Sequence, residues 1–301
     1  MATRSLRIGI DARVLAEPAP MGVARYFTAL LRAVAQVAPH HEYRLYLNQR
    51  PLNEEAFVVA PFRHRAIGEK GLLASPLIWQ QLVLPWAIWR DQVDVLLSPY
   101  YCGPLFPPVP HIVFLYDVSF AAFPQDFPSW VRFKPKLLAR PTCRKADCVL
   151  TISEFSRQEI LERFALPSSK VKVVTPGCEQ DMWSRSRPRT RLGIFPDQHP
   201  FFLFAGSLLP RRQVSCVVQA LAQLPPQYHF VVVGENDGER QSALKAVAQK
   251  WNVAGRVHIL GHVSDEDLED LYLRTLALIS PSTYEGFGLP VLEAMIRGVP
   301  V

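Results

Sequence analysis

Ser280-Pro-Ser-Thr-Tyr-Glu-Gly-Phe-Gly-Leu-Pro-Val-Leu-Glu-Ala-Met295 is the stretch from which the rest of the chain can be read. Leading into it, Leu276-Ala-Leu-Ile-Ser280 is a short, continuous apolar run between turn formers, the pattern of a strand buried on both faces of a parallel sheet. Gly286 and Gly288 then mark a loop. Pro290 stands where a helix begins, because its fixed φ and missing N–H are harmless there. Strand, glycine loop and helix N-terminus in succession gather free backbone N–H groups and a positive dipole end, which suits an anion. Two carboxylates bracket the loop: Glu285 inside it, and Glu293, placed by this reading in the first helical turn. Beside an anion site, carboxylates accept hydrogen bonds from sugar hydroxyls, as acids do with ribose in dinucleotide folds. Each alone has a plainer role: Glu293 complements the helix dipole, and Glu285 is a solvated loop residue.

Upstream, Phe201-Phe-Leu-Phe-Ala205 reads as a first strand of the same half, followed by Gly206-Ser-Leu-Leu-Pro-Arg-Arg-Gln213 and a helix from about Val214. Tyr228–Gly234 and Val257–Leu260 read as the second and third strands, and Leu276–Ser280 as the fourth. In a doubly wound sheet the first and fourth strands are neighbours, the winding reverses between them, and ligands bind beyond their C-terminal ends. Arg211 and Arg212 follow the first strand; the acid-flanked glycine loop follows the fourth. Arginines suit a diphosphate and carboxylates suit hydroxyls. A nucleotide-diphosphate sugar presents both.

The first half repeats the alternation. Leu6–Ile10 is a strand; Asp11 and Arg13 follow it as a turn cap and a surface charge or as functional groups. Gly22 then leads a helix whose apolar residues Val23, Phe27, Leu30, Leu31 and Val34 recur at helical spacing. There is no G-x-G-x-x-G, so this is no dinucleotide fingerprint. Tyr43–Leu47, Val93–Leu97, His111–Asp117, Cys148–Ser153 and Lys170–Val174 read as further strands. Leu77–Trp89 reads as a core-facing helix, and Ser153 as an N-cap. Strands alternating with helices imply a parallel α/β sheet. The basic, proline-bearing stretch at residues 184–199 reads as a linker between domains at 1–183 and 200–301.

The string around Glu285 and Glu293 resembles the Glu-x7-Glu signature of family 4 glycosyltransferases, and the likeness extends along nearly the whole chain. The resemblance implies a GT-B fold of two Rossmann-like doubly wound domains, the first for the acceptor and the second for the nucleotide sugar. It implies that Glu293 binds the nucleotide ribose, that Glu285 faces the donor sugar, and that Phe287, Gly288 and Leu289 contact sugar and phosphate through loop amides. The resemblance further implies that Arg211 and Arg212 neutralise the leaving diphosphate in place of a metal, that Gly22 lies near the donor phosphates, that transfer retains the anomeric configuration, and that no cofactor is needed beyond the donor itself. Many relatives carry His-Asp where this chain has Tyr116-Asp117. A phenol can hydrogen-bond a hydroxyl but carries no proton near neutral pH, so Tyr116 bears on donor preference or on activity itself. Alternatives left open are a catalytically impaired nucleotide-sugar-binding remnant and a GT-B nucleotide-sugar epimerase. The family continues past Val301 with further strands and helices, so the second domain is expected to be incomplete.

The 301 residues, 49% hydrophobic and 20% charged, are ordinary for two globular cores. Cys102, Cys143, Cys148, Cys178 and Cys216 form no zinc spacing and read as free thiols in a reducing compartment. His258 and His262 are separated by Gly261, which breaks any helix that could pair them on a metal. No secretory signal or spanning segment is legible, so a cytoplasmic location is expected. The net charge of +6 admits phosphorylated ligands or an anionic membrane surface, and no motif supports nucleic acid. Arg132, Lys134, Lys136, Arg140, Arg144 and Lys145 fall in one acid-free stretch, either a solvated helix face or a patch for lipid headgroups. A glycan or lipid-linked acceptor at the inner face of the cell membrane follows as an expectation.

Overall fold

Two parallel sheets organise the chain, one in each of the units Met1–Pro176 and Gly177–Val301. The computed structural model describes residues 4–16, 22–49, 62–68, 73, 75–99, 102–127, 129–177, 199–234 and 237–301. The expected linker, residues 184–199, lies outside them except for His199, as does Cys178.

The first sheet contains β1 (Arg7–Asp11), β2 (Glu42–Leu47), β3 (Phe62–Ala66), β4 (Val95–Ser98), β5 (His111–Phe114), β6 (Cys148–Thr151) and β7 (Val171–Val173). They lie in the order β3-β2-β1-β4-β5-β6-β7, all parallel. Winding reverses between β1 and β4, as the alternation implied. On one face the helix Gly22–Val37 packs Phe27 and Leu31 against Ile10, Leu45 and Leu97. On the other face Trp79, Val83, Leu84 and Ile88 pack against Tyr46 and Leu96. Ala139 and Cys143, from the helix Ser129–Lys145, pack against Val113 and Val149. Ser98 is in register with Val113 and Val113 with Val149, so these two helical segments lie on the same face of the sheet.

The segment expected as one core-facing helix is three: Pro76–Ile78, a π-turn at Trp79–Val83, and Leu84–Arg90. Only one side faces the core. Trp79 and Leu84 are buried, while Leu82, Trp86 and Trp89 are exposed.

The second sheet contains β8 (Phe201–Ala205), β9 (His229–Val233), β10 (Val257–Gly261) and β11 (Ala277–Leu278), parallel and ordered β10-β9-β8-β11. Phe204 and its neighbours pack against the helices Val214–Leu221 and Gly238–Lys250. Leu203 and Leu278 pack against Asp265–Arg274 and Leu289–Ile296 on the opposite face. The first and last strands in sequence are therefore neighbours, with the reversal of winding between them. Beyond β11, the Leu278 N–H donates to the Pro300 carbonyl at 2.9 Å, and Val299 joins the core.

Candidate functional site

At the second unit's switch point the arginine turn follows the C-terminal end of β8 and the glycine loop that of β11. The chain leaves β8 through Gly206, whose backbone crosses that of Gly234 so closely that a Cβ on Gly234 would sit 1.8 Å from the Gly206 carbonyl oxygen. Two bare backbones set the height of the loop. It ends in a 3₁₀ turn, Pro210–Arg212, and then Gln213 at φ 53° before the next helix. That left-handed position explains why the smaller Gly or Asn suits this site better than Gln.

The turn is stitched to the loop after β11. Thr283 donates to the Arg211 carbonyl twice, from N–H at 2.9 Å and from Oγ1 at 3.1 Å. The Arg212 guanidinium pairs with the Glu285 carboxylate. Ser282 Oγ donates to Glu285 at 3.0 Å and accepts from Arg212 at 3.4 Å, across 70 residues of sequence. The expected convergence of the arginine turn and the glycine loop is present. The two arginines are not equivalent, however. Arg211 is only 9% exposed, whereas the side chains of Arg212 and Glu285 keep 21% and 26% of their surface.

Gly288, at φ 92°, caps the helix Leu289–Ile296 and accepts from the N–H groups of Val291 and Leu292 at 3.0 and 3.2 Å. The left-handed cap starts the helix at Leu289, so Pro290 is its second residue and Glu293 its fifth. Glu293 is thus not in the first turn, and complementing the helix dipole is a weaker account of it. Its carboxylate accepts from the Tyr272 hydroxyl at 3.0 Å. Tyr272 is 1% exposed, and its ring lies under the Arg297 guanidinium at 4.8 Å. Arg297 donates to the Glu293 carbonyl at 2.6 Å and to Glu269 at 2.9 Å. Sequence reasoning missed Tyr272. The only signal was an aromatic on the buried side of the otherwise acidic helix Asp265–Arg274. Phe287 and Leu289 are half-buried beside the cap.

In the first unit, Gly22 is the first residue of its helix. Tyr116 follows β5, and its ring lies tilted against Phe114 at 4.7 Å and edge-on to Tyr26 at 5.8 Å. Burial pushes the Tyr26 phenol up to about 12, and its hydroxyl donates to the Val174 carbonyl at 3.3 Å. Asp11 is buried and holds Arg13 in a two-pronged pair at 2.6 and 2.8 Å, with the guanidinium 4.7 Å from the Trp79 ring. Asp117 accepts from the Ser119 N–H at 2.8 Å in a local turn, and Ser153 caps its helix by accepting from the Ser156 N–H at 3.0 Å. Among the described residues no cluster of His, Cys, Asp and Glu is arranged to hold a metal, and no helix is long and apolar enough to cross a membrane.

Comparison with known proteins matches residues 20–181 to the profile described as Glycosyltransferase Family 4, and residues 191–301 to that of Glycosyl transferases group 1. O-antigen chain mannosyltransferase B of Escherichia coli is 30% identical over 93% of this chain and 77% of its own length. O-antigen chain mannosyltransferase RfbU of Salmonella typhimurium is 23% identical over 62% of this chain and 50% of its own length. Among solved structures, WaaG, a glycosyltransferase involved in lipopolysaccharide biosynthesis, superposes with a TM-score of 0.71 at 19% identity, over 98% of this chain and 80% of WaaG. Anabaena HepE in complex with UDP and glucose gives 0.68 at 18% identity, over 99% and 80%. The fold is therefore GT-B, with two Rossmann-like halves, and the chain belongs to glycosyltransferase family 4.

Proposed function

We propose that this protein transfers a hexosyl group from a nucleotide-diphosphate sugar to a growing glycan or lipid-linked acceptor, with retention of configuration. The reading is carried by the Arg212–Ser282–Glu285 contact at the switch point, which sets a cation for a diphosphate beside a carboxylate for a sugar. Arg212 stabilises charge on the departing diphosphate, the task a metal performs in other transferases. Arg211 adds a second positive charge to the same turn. Glu285 accepts from donor-sugar hydroxyls, and Glu293, oriented by Tyr272, accepts from the ribose. The amides at Phe287, Gly288 and Leu289 meet sugar and phosphate. Gly22 and Tyr116 belong to the same reading as first-unit contributors to the donor, and the first unit takes the acceptor. Two relatives are O-antigen chain mannosyltransferases, which favours mannose as the sugar and a polysaccharide chain as the acceptor. Work at the inner face of the cell membrane on a lipid-linked acceptor belongs to the same proposal.

The test is a panel of UDP-, GDP- and ADP-sugars, mannosyl donors included, offered with and without a glycan or lipid-linked acceptor and with EDTA. Saturable donor binding, transfer that survives EDTA and an unchanged anomeric configuration in the product are the expected results. Arg212→Ala should lower kcat by about 10²–10³-fold. Inversion, or transfer abolished by EDTA, would overturn those parts of the reading. Tyr116 favours a second reading, a binding remnant, because a packed phenol cannot move a proton at neutral pH. Donor binding lost in Glu293→Ala, without turnover on any acceptor, would select the remnant.

A further inference from the structure

Trp86 and Trp89 have no core to pack in. The helical segment Pro76–Arg90 is apolar on both sides, a pattern expected of a helix buried all round. Its inner side is buried, but Leu82 is 66% exposed and Trp89 69%. Leu82, Trp86 and Trp89 fall at helical spacing on one stripe. Beside this stripe, Gln81 donates to the Gly103 carbonyl at 3.1 Å and accepts from the Leu105 N–H at 2.9 Å. Gln80 donates to the Cys102 carbonyl at 2.7 Å. These bonds fix the proline-rich loop before β5, which holds Phe106 out at 78% exposure. Trp89 and Arg90 share a cleft with Pro108 and Val109 of the same loop. The helix Ser129–Lys145 lies on this face of the sheet too, and contributes Leu137, 67% exposed, and Lys145.

Two of the outward aromatics are paired with a cation. The Arg90 guanidinium lies 5.2 Å from the Trp86 ring, and the Lys145 ammonium 3.2 Å from that of Phe106. The side chains of Arg90, Arg140, Arg144 and Lys145 are exposed on these segments, and no Asp or Glu falls within 76–90, 102–110 or 137–145. Two copies of this surface would repel each other. A nucleic acid would complement the cations but leave Leu82 and Leu137 without a role. Rigid tryptophans, aliphatics and cations on one face match the headgroup layer of an anionic bilayer.

From this we infer that the first unit docks on an anionic membrane surface through the Leu82–Trp86–Trp89 stripe and Phe106, with Arg90, Lys145 and their neighbours on lipid phosphates. The inference deepens the membrane partner proposed above by naming the element that inserts, and it is independent of the donor chemistry.

The experiment is flotation of the full chain with vesicles of phosphatidylcholine alone and of phosphatidylcholine mixed with phosphatidylglycerol, at low and high salt. Binding to the mixed vesicles only, weakened by salt and accompanied by a blue shift of tryptophan emission, is expected. Trp86→Ser/Trp89→Ser and, separately, Arg90→Glu/Lys145→Glu should each lower partitioning at least about tenfold. Both variants should keep the circular dichroism spectrum and the nucleotide-sugar affinity of the parent. Equal binding to neutral vesicles, or none to the mixed ones, overturns the inference. So does a duplex or single-stranded oligonucleotide that competes the protein off the vesicles, or a dimer in sedimentation that the tryptophan variant dissolves. Loss of sugar-nucleotide binding in Glu293→Ala with flotation intact separates a failure of the donor site from a failure of the docking surface.

Discussion

The two sheets share a strand order around their switch points, yet finish their C-terminal edges differently. In the second unit the edge is polar and held across the sequence: Arg212, Ser282 and Glu285 meet from two loops, and Tyr272 holds Glu293. In the first unit the corresponding polar groups are occupied in building the fold. Asp11 holds Arg13, Asp117 closes a local turn, and Tyr116 packs on Phe114. Topology decides where a ligand can bind; whether the groups there remain available depends on what the neighbouring loops supply.

The contrast can be broken most severely at Gly234. A Cβ there collides with the Gly206 backbone, which has no side chain to swing away. Gly234→Ala should cost more than about 3 kcal/mol. It should raise hydrogen exchange in peptides of the second unit while leaving β1, β4 and β5 protected. Exchange that stays low around β8 and β9 would show that the crossing carries no such constraint.

Acid should act on the first unit through His111. Burial holds this imidazole down at about 4, and it lies 2.8 Å from Ser98 Oγ. The folded state resists protonation while the unfolded chain takes it up near 6.5, so stability is full above pH 6.5 and falls as pH drops to about 4. The loss should approach about 3 kcal/mol. His111→Gln should flatten the slope in denaturant titrations across that window; an unchanged slope would assign it to other groups. His229 and His258, also pushed down by burial, titrate in the second unit in the same sense.

At the site itself, Tyr272→Phe should raise the donor KM by about tenfold with little change in kcat, since a hydrogen bond to a charged group is lost without opening a cavity. A fall in kcat alone would mean that Tyr272 serves the reacting sugar rather than the nucleotide. The smallest effect is expected at Gln213. Replacing it by Gly relieves a side chain held at φ 53° and should stabilise the second unit by up to about 1 kcal/mol. Thermal unfolding of the variant checks the sign.

Much of this was legible in the sequence, because buried parallel strands announce themselves as apolar runs. Phe201–Ala205 and Tyr228–Gly234 fall almost on β8 and β9. β3 was not legible: Phe62-Arg-His-Arg-Ala66 is an edge strand whose charged residues hide the period. Pro290 falls at the start of the last helix as expected, but the left-handed turn at Gly288 begins it one residue earlier and leaves Glu293 beyond the first turn. The spacing of His258 and His262, interrupted by Gly261, gave no sign of the histidine contact. It occurs across the sheet instead, between His258 and His229 at 2.8 Å, which only the register of β9 and β10 could reveal. The unequal burial of Arg211 and Arg212 depends on a 3₁₀ turn that the dipeptide does not encode.

The guanidinium of Arg212 already has a tenant. On the proposed reading an arriving anion shares this guanidinium with Glu285 or displaces it, so its gain is smaller than an unpaired arginine would give. A lone chloride or a monoester gains little by that swap, whereas two linked phosphates on one ligand can outbid the carboxylate and leave it turned toward whatever hydroxyls arrive with them.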